Sequence, residues 1–483
     1  MHISSLPSLW GIGTLGAEAV KFIDFLSKSG QSFWQVLPVS PTGFGDSPYQ
    51  SYSSYAGNPY FIDLDLLCDW GLLEKSDYCE LDWGCDSERA DYGLLSENRY
   101  KVLRKACTRL FYSCPADYDD FCSSSAFWLD DYALFMALKE SHGGASWTQW
   151  EAPLRFREDA ALKEAKQKHE SEIDFHKAVQ YLFFRQWELI KSYAHKKGVS
   201  IIGDLPIYAA PDSADVWARP DLFMLDSELM PVEVAGCTPD GFTAFGQLWG
   251  NPLYNWDEHR KDGFSWWISR IKRQFELFDV LRIDHFRGFD AYYAIPFGAK
   301  DAKNGVWHEG PGMELFDEIS RALGEKQIIA EDLGFLSTSV RELLRKSGFP
   351  GMKVLHFAFE GEDSDYLPHN YTRNCVAYTG THDNNTTVGW FETAADAEVR
   401  KARDYLRIRE GESVSRAMIS ALWGSVAELV IVPMQDILGL DGSARMNTPS
   451  TLGGNWKWRM KPGLELKEHS EWLRHITELY GRI

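Results

Sequence analysis

Carboxylic acids stand at the ends of four apolar segments that the sequence pattern predicts to be strands. Asp204 lies in IIGDLP, Asp284 in LRIDHFRGF, Glu331 and Asp332 in IIAEDLG, and Asp383 in THDN after a further strand. Any one of them could instead cap the helix that follows its strand. Acids gathered at one edge of a sheet raise each other's pKa, a pattern typical of sites that need carboxyl groups in different protonation states. The spacing therefore indicates acid–base chemistry without choosing between Glu331 and Asp332.

Convergent carboxyl groups favour chemistry at a glycosidic bond, since the sequence shows no thiol dyad, phosphate-binding lysine loop or metal-ligand spacing. One carboxylate attacks or stabilises the oxocarbenium-like centre and the second protonates the leaving oxygen. Arg282 lies two residues before Asp284, so strand alternation places both side chains on one face. Its guanidinium would keep Asp284 ionised, or it forms a purely structural ion pair. His285 and His382 adjoin two of the acids, where they could donate to sugar hydroxyl groups or serve only the fold.

Eight apolar segments alternate with helical periodicity, which predicts an α/β fold, a (β/α)8 TIM barrel with inserted, mainly helical subdomains. Barrel enzymes carry their functional residues at the C-terminal ends of the strands, where the acids lie. The predicted strands are 2–3, 33–39, 200–205, 280–284, 327–331, 353–357, 375–379 and 429–433. The predicted helices are 17–29, 175–197, 264–277, 313–323, 340–346 and 415–423.

The domain organisation is predicted to be a single catalytic barrel over residues 1–483. Residues 60–170 form an inserted subdomain between the second and third strands. Residues 206–256 form an extended loop or lid region between the third and fourth strands, because long loops in compact domains are usually functional. Its candidate lid aromatics are Phe242, Phe245, Trp249 and Tyr254.

The stretch GIGTLG, with Gly11, Gly13 and Gly16, matches the G-x-G-x-x-G fingerprint of dinucleotide-binding proteins. That fingerprint requires a strand directly before it and an acidic residue about twenty residues later, at the end of the next strand. Pro7 interrupts the preceding run, and the segment 33–39 ends without a carboxylate. We therefore predict a glycine-rich turn between the first strand and a helix, with nucleotide binding as the disfavoured alternative.

Composition excludes some partners. The formal net charge of -20 argues against nucleic acid and anionic membranes. The sequence lacks an apolar span of bilayer length and a signal-peptide pattern, which predicts a soluble, cytoplasmic protein.

Six of the eight cysteines fall between residues 68 and 122, without zinc-type spacing, and are predicted to be reduced thiols, with disulfides as the alternative. Nineteen tryptophans are compatible with a carbohydrate cleft.

At these residues the sequence resembles the 4-alpha-glucanotransferases of the amylomaltase or disproportionating-enzyme type, within the alpha-amylase clan. The resemblance implies a barrel enzyme without a cofactor or metal that transfers α-1,4-glucan segments with retention, using α-1,4-glucans and maltooligosaccharides as donor and acceptor. An α-glucan hydrolase and a non-catalytic glucan-binding protein are the alternatives. The matching segments are SLPSLWGIGTLG, QVLPVSPTGFGDSPYQSYSSYAGNPYFID, IIGDLPIY, FGQLWGNPLYNW, LRIDHFRGF, IIAEDLG, YTGTHDNNT, VPMQDILGL and NTPSTLGGNWKWR.

The resemblance also implies roles for individual residues. Asp284 is expected to be the nucleophile, Glu331 the general acid/base and Asp383 the stabiliser of the transition state. The expected substrate-binding residues are Tyr49, Asp204, Arg282, His285 and His382 around the cleaved sugar, with Trp249 and Asn251 in the covering loop. The lid departs from the family pattern, which usually has an aromatic residue near Thr238 and Gly241.

Overall fold

The computed structural model describes residues 1–113, 115–239, 245–334, 336–361 and 364–483. Cys114, Gly241 and Phe242 lie outside these ranges, so the predictions that involve them fall outside the described residues.

The described strands and α-helices are numbered in chain order. The strands are β1 (Phe33–Gln35), β2 (Ser200–Leu205), β3 (Glu233–Cys237), β4 (Gln247–Pro252), β5 (Val280–Ile283), β6 (Ala291–Pro296), β7 (Val306–Glu309), β8 (Ile328–Ala330), β9 (Gly351–Val354), β10 (Cys375–Tyr378) and β11 (Leu429–Ile431). The α-helices are α1 (Ala17–Lys28), α2 (Leu64–Asp69), α3 (Tyr92–Ser113), α4 (Tyr118–Ser141), α5 (Ala152–Arg155), α6 (Asp159–Lys168), α7 (Glu170–Lys196), α8 (Ala214–Ala218), α9 (Trp256–Lys261), α10 (Ser265–Leu277), α11 (Met313–Leu323), α12 (Thr338–Ser347), α13 (Thr387–Thr393), α14 (Asp396–Leu406), α15 (Val414–Trp423), α16 (Met434–Leu438) and α17 (Lys467–Leu479).

A parallel sheet forms the centre of the fold and confirms the predicted barrel-like α/β core. Its strands follow the order β1-β2-β5-β8-β9-β10-β11, and each neighbouring pair is parallel. Every residue of β5, β8 and β10 is buried, as expected for strands of a parallel sheet that is enclosed by helices. The C-terminal ends of these strands therefore meet on one side of the sheet.

The predicted first strand, at residues 2–3, is wrong. Ile3–Ser5 form a 3₁₀ helix, and the parallel sheet has seven strands in the described residues, with β1 and β11 at its two ends. The segment packs beside β1 through other contacts: Trp34 Nε1 donates to the Met1 carbonyl at 2.7 Å, and Leu37 N donates to His2 Nδ1 at 3.2 Å. Two residues make too short a run for a strand ladder, so side-chain contacts decide the local conformation.

The long connections hold more structure than the sequence pattern predicts. Helices α2 to α6 fall in or near the predicted insertion 60–170, whose division as a subdomain stays a prediction. The region 206–256 holds α8, β3 and β4, and a second, antiparallel sheet has the order β4-β3-β6-β7. Sequence analysis missed this sheet because three of its four strands contain glycine or proline, and the β3–β4 register shifts between Val234 and Gly236.

The GIGTLG stretch is a packed turn that leads into α1. A Cβ on Gly13 would lie 1.9 Å from the Ile3 carbonyl oxygen, so only glycine fits there. A Cβ on Gly16, the N-cap of α1, would lie 2.1 Å from Asp63 Oδ2. Thr14 Oγ1 donates to the same carboxylate at 2.6 Å. The Asp63 carboxylate thus packs directly against the start of α1.

Two smaller expectations concern membranes and cysteines. None of the helices in the described ranges is long and apolar enough to cross a membrane. A cytoplasmic location stays a prediction. All seven cysteines in the described ranges are free thiols, which agrees with the expectation of reduced cysteines.

We predict that Gly13→Ala lowers the free energy of unfolding by at least about 2 kcal/mol, because the new methyl group must displace backbone. Chemical unfolding measures the effect. Gly93→Ala is the matched control: this glycine lies in α3, a Cβ there meets only the Asp91 side chain at 3.3 Å, and alanine favours the helix. Equal unfolding free energies of the two variants would contradict the packing argument.

Candidate active site

Arg282 links two carboxylates at the centre of the barrel. It lies opposite Asp204 in the β2–β5 register. Its Nη1 donates to Asp204 Oδ1 at 2.7 Å and Oδ2 at 2.8 Å, and its Nη2 lies 3.0 Å from Asp284 Oδ1. Arg282 and Asp204 are only 4% and 2% exposed, so their charges depend on each other. Tyr49 Oη also donates to Asp204 Oδ2, at 2.9 Å.

Asp284 follows β5 and keeps 30% of its side chain exposed, so one face of the carboxylate remains accessible. Burial raises the pKa of Asp284, and the guanidinium of Arg282 opposes that rise. The alternation argument from the sequence is thus met, because Arg282 and Asp284 lie on one face. A carboxylate that contacts a fixed cation and remains open on one side can act as a nucleophile or as a charge stabiliser.

Glu331 follows β8 and is held by two backbone donors. His285 N donates to its Oε2 at 2.7 Å, and Leu333 N donates to its Oε1 at 2.8 Å. Burial and the charge of Asp284 raise the pKa of Glu331 to about 7, although Arg282 and both donors oppose the rise. This carboxyl group therefore holds a proton under mildly acidic conditions, as a general acid must.

The Asp332 side chain points away from the Glu331 side chain, toward β9. Its side chain is buried, and its Oδ1 accepts from Met352 N at 2.6 Å. A Cβ on Gly351 would lie 2.5 Å from Asp332 Oδ2, so the carboxylate packs directly on β9. The two adjacent acids therefore have different surroundings: the charge of Asp284 acts on Glu331, whereas Asp332 contacts β9.

His285 connects the two acidic strand ends through its backbone. Its φ of 49° lies in the left-handed region, which is costly for a residue with a side chain and is seen at functional sites. This conformation turns the chain from β5 into the 3₁₀ helix Phe286–Phe289 and directs the His285 N–H at Glu331. Burial lowers the pKa of the imidazole to about 3, so the ring is neutral.

Asp383 projects from the loop after β10, with 46% of its side chain exposed. Asn447 Nδ2 donates to its Oδ1 at 2.6 Å, and Arg445 Nη2 donates to its main-chain carbonyl at 2.6 Å. The neighbouring His382 has its Nε2 at 3.3 Å from Asp383 Oδ1. The His382 ring stacks on the Tyr49 ring, with centroids 5.1 Å apart. Because Tyr49 also contacts Asp204, Asp383 and the Arg282 cluster lie on the same wall of the cleft.

Trp249 and Asn251, the substrate-binding residues predicted in the covering loop, have different surroundings. The Trp249 ring lies edge-on to the His285 ring, with centroids 4.8 Å apart, so it packs on the residue whose N–H contacts Glu331. Asn251 is only 4% exposed. Its Nδ2 donates to the Ala209 carbonyl at 2.9 Å, and its Oδ1 accepts from Gln50 Nε2 at 3.0 Å. These contacts join β4 to two other loops, and a direct sugar contact of Asn251 stays a prediction.

Sequence reasoning missed three residues of this site: Arg445, Asn447 and Trp456. The first two contact Asp383, and the Trp456 ring lies 5.7 Å from Tyr49 and 5.6 Å from His382. Asn447 and Trp456 belong to the segment NTPSTLGGNWKWR, which had been noted as a whole. That segment follows β11 as a loop, so strand-end reasoning gave no signal for individual side chains.

The fold and the site together define a class of protein: a barrel with a cluster of carboxyl groups at its strand ends. One carboxyl group is paired with a buried cation, and a second is protonated near neutrality. Such a pair suits nucleophilic and acid–base steps at one substrate atom.

Comparisons with known proteins identify the family. Residues 1–466 match the family model for 4-alpha-glucanotransferase. The chain is 48% identical to the 4-alpha-glucanotransferase of Clostridium butyricum, with all of both chains covered, and 46% identical to that of Thermus thermophilus, with 100% and 98% covered. It superposes on amylomaltase from Streptococcus agalactiae in complex with acarbose with a TM-score of 0.97, at 43% identity, covering 100% and 98% of the chains. The chain belongs to the 4-alpha-glucanotransferase family.

We predict that Asp284→Asn lowers the pKa of Glu331 from about 7 toward its ordinary value of 4.5, because a neighbouring negative charge is removed while burial remains. The carbon-13 resonance of the labelled carboxyl group measures the titration, and Glu331→Gln assigns the signal. Titration still centred near pH 7 in Asp284→Asn would contradict the proposed coupling of the two acids.

Proposed function

We propose that this 4-alpha-glucanotransferase transfers segments of α-1,4-glucans between maltooligosaccharides and retains the anomeric configuration. The observation that carries the proposal is the unequal environment of two acids, since Asp284 contacts Arg282 at 3.0 Å whereas Glu331 has a pKa of about 7. The relative solved in complex with acarbose supports a glucan as the substrate. A retaining path further requires the two carboxyl groups to lie about 5–5.5 Å apart.

The first step cleaves the donor. Glu331 gives its proton to the glycosidic oxygen as the bond from that oxygen to C1 breaks. A carboxylate oxygen of Asp284 attacks C1 from the opposite face and forms a glycosyl ester, while the shortened glucan leaves with a new hydroxyl group. Glu331 is then ionised, and its two N–H donors, His285 and Leu333, stabilise that charge.

The second step builds the new glucan. The ionised Glu331 takes the proton from the 4-hydroxyl group of an acceptor as its oxygen attacks C1, and the bond from C1 to Asp284 breaks. Both acids return to their starting states. Arg282 stabilises the departing Asp284 carboxylate, because its guanidinium is permanently charged and held by Asp204.

The wall formed by Tyr49, His382 and Asp383 is the proposed binding surface for the cleaved sugar. The pKa of Tyr49 is raised well above its ordinary value, chiefly by burial, so its hydroxyl group keeps its proton and serves as a donor. The exposed oxygen of Asp383 can accept from sugar hydroxyl groups, while Asn447 fixes the other oxygen. Such bonds assist the reaction when they strengthen as C1 becomes cationic.

Transfer and hydrolysis differ in the molecule that resolves the glycosyl ester. A cleft that holds a sugar and excludes water favours transfer. Trp249, which packs on His285, is the proposed cover over the acceptor at Glu331, whereas Tyr254 is buried, with its hydroxyl group on the Ile207 carbonyl. The alternative, an α-glucan hydrolase, would use the same acids and admit water at this position.

We predict that the protein converts maltotriose into glucose and a ladder of longer maltooligosaccharides, which chromatography resolves by length. Asp284→Asn is expected to remove nearly all turnover while it still binds maltotriose, because the cleft keeps its shape but loses its nucleophile. Calorimetry measures that binding. Only shorter products would favour the hydrolase, and binding without turnover in the unmodified protein would favour a glucan-binding protein. Ordinary turnover in Asp284→Asn would refute the assigned nucleophile.

We predict that kcat/KM for maltotriose falls as the pH rises through about 7, because the free enzyme needs Glu331 protonated and its pKa is about 7. Below that pKa the acid carries its proton, and each further pH unit above it costs about tenfold in the protonated fraction. Initial rates at low maltotriose concentration give the profile. A plateau that extends well above pH 8 would contradict this role of Glu331.

A further inference from the structure

Asp436, in α16, is a buried carboxylate outside the sugar-facing wall. It is 1% exposed, although a carboxylate is costly to bury without partners. Thr379 Oγ1 donates to its Oδ2 at 2.6 Å, and Thr387 N donates to its Oδ1 at 2.6 Å. Both threonines are fully buried, so these bonds have no competition from solvent.

The two donors stand at opposite ends of one loop. Thr379 directly follows β10, Thr387 begins α13, and Asp383 lies midway, four residues from each. A single carboxylate therefore joins the strand end to the helix start and closes the loop that carries the exposed acid. Building on the proposed function, we infer that Asp436 is a positioning residue that sets the place of Asp383 in the cleft.

His356 also contacts both ends of the loop, but it accepts from neither of the donors that Asp436 binds: its Nε2 lies 3.2 Å from the Thr387 hydroxyl oxygen. His356 N donates to the Thr379 carbonyl at 3.1 Å, and the His356 ring lies against Gly380, where a Cβ would approach within 2.8 Å. Within the loop, Asn384 Oδ1 accepts from both Thr381 N and Thr381 Oγ1 at 2.9 Å. Loss of the Asp436 carboxylate would leave two buried donors at the base of this loop without their acceptor.

The expected effect on catalysis follows because the rate is sensitive to the position of Asp383. Asp383 contacts Asn447, Arg445 and its own neighbour His382 at the open end of the loop, and none of these contacts holds the base of the loop. A shift of about 1 Å in a group that stabilises a transition state can cost about 100-fold in rate. Asp436 is thus expected to affect kcat more than the affinity for glucan.

The experiment compares Asp436→Ala with Asp436→Asn in the full chain. Asp436→Ala should lower kcat for maltotriose by about 10- to 100-fold with KM changed by less than about threefold. Asp436→Asn should restore kcat to within about threefold, because its oxygen still accepts from Thr387 N and the Thr379 hydroxyl can turn to accept from its amide. Thr379→Val is the second test, since it removes one bond and keeps the carboxylate.

A double-mutant cycle separates positioning from general destabilisation. In the Asp383→Asn background, Asp436→Ala should lower the residual kcat by less than about threefold, because the group it positions is already impaired. Asp63→Ala is the matched control: Asp63 also bridges a threonine hydroxyl, at 2.6 Å, and a backbone N–H, Leu66 N, at 2.8 Å, but near α1 and α2. It should lower the unfolding temperature and leave kcat of the folded enzyme unchanged.

The outcomes are distinct. Equal losses from Asp436→Ala in both backgrounds, or an unchanged kcat in folded Asp436→Ala and Thr379→Val, would overturn the inference. An unmodified protein that makes no longer products from maltotriose would instead refute the proposed transfer, whatever the variants do.

Discussion

The ion pair network around Arg282 is the constraint on which the site depends. A guanidinium that is 4% exposed needs paired charge, and Asp204 supplies it through two bonds from the neighbouring strand. The remaining face of the guanidinium is then free to hold Asp284 at 3.0 Å. Removing Arg282 would leave acids without a counter-charge inside the barrel, so the cation is both a structural and a functional requirement.

That arrangement gives Asp284 and Glu331 different electrostatic surroundings. Asp284 has the cation beside it, whereas Glu331 has the charge of Asp284 and two backbone N–H groups. The backbone of His285, turned into the left-handed region, provides one of those groups and lies between the two strands. The order of the strands brings the two acids together, because β5 and β8 are neighbours in the sheet although Asp284 and Glu331 are 47 positions apart in the sequence.

Much of this arrangement could be predicted from the sequence because parallel strands bring their C-terminal ends together. Alternation placed Arg282 and Asp284 on one face, and the strand ends marked Asp204, Glu331 and Asp383. The choice between Glu331 and Asp332 required coordinates, since adjacent residues leave a strand end in directions that depend on local packing. Asn447 and Asp436 could not be selected either, because loops reach the site without a periodic pattern.

The first strand and the second sheet show the same limit in the fold. Residues 2–3 are predicted to be a strand but pack through His2 and a 3₁₀ turn, where tertiary contacts outweigh local preference. The antiparallel sheet formed by β3, β4, β6 and β7 escaped prediction because its pairing joins distant segments through strands, three of which contain glycine or proline. The glycine-rich turn is decided by tertiary packing as well, since Gly16 lies against the Asp63 carboxylate from a later segment.

The division of labour between Asp284 and Glu331 is the central claim, and mass spectrometry of Glu331→Gln with α-maltotriosyl fluoride tests it most directly. Fluoride leaves with little help from an acid, whereas release of the glycosyl ester needs the Glu331 base. The account predicts release of fluoride and accumulation of a maltotriosyl ester on the peptide that contains Asp284. Fluoride release without an adduct, or an adduct on Asp383 or another acid, would contradict it.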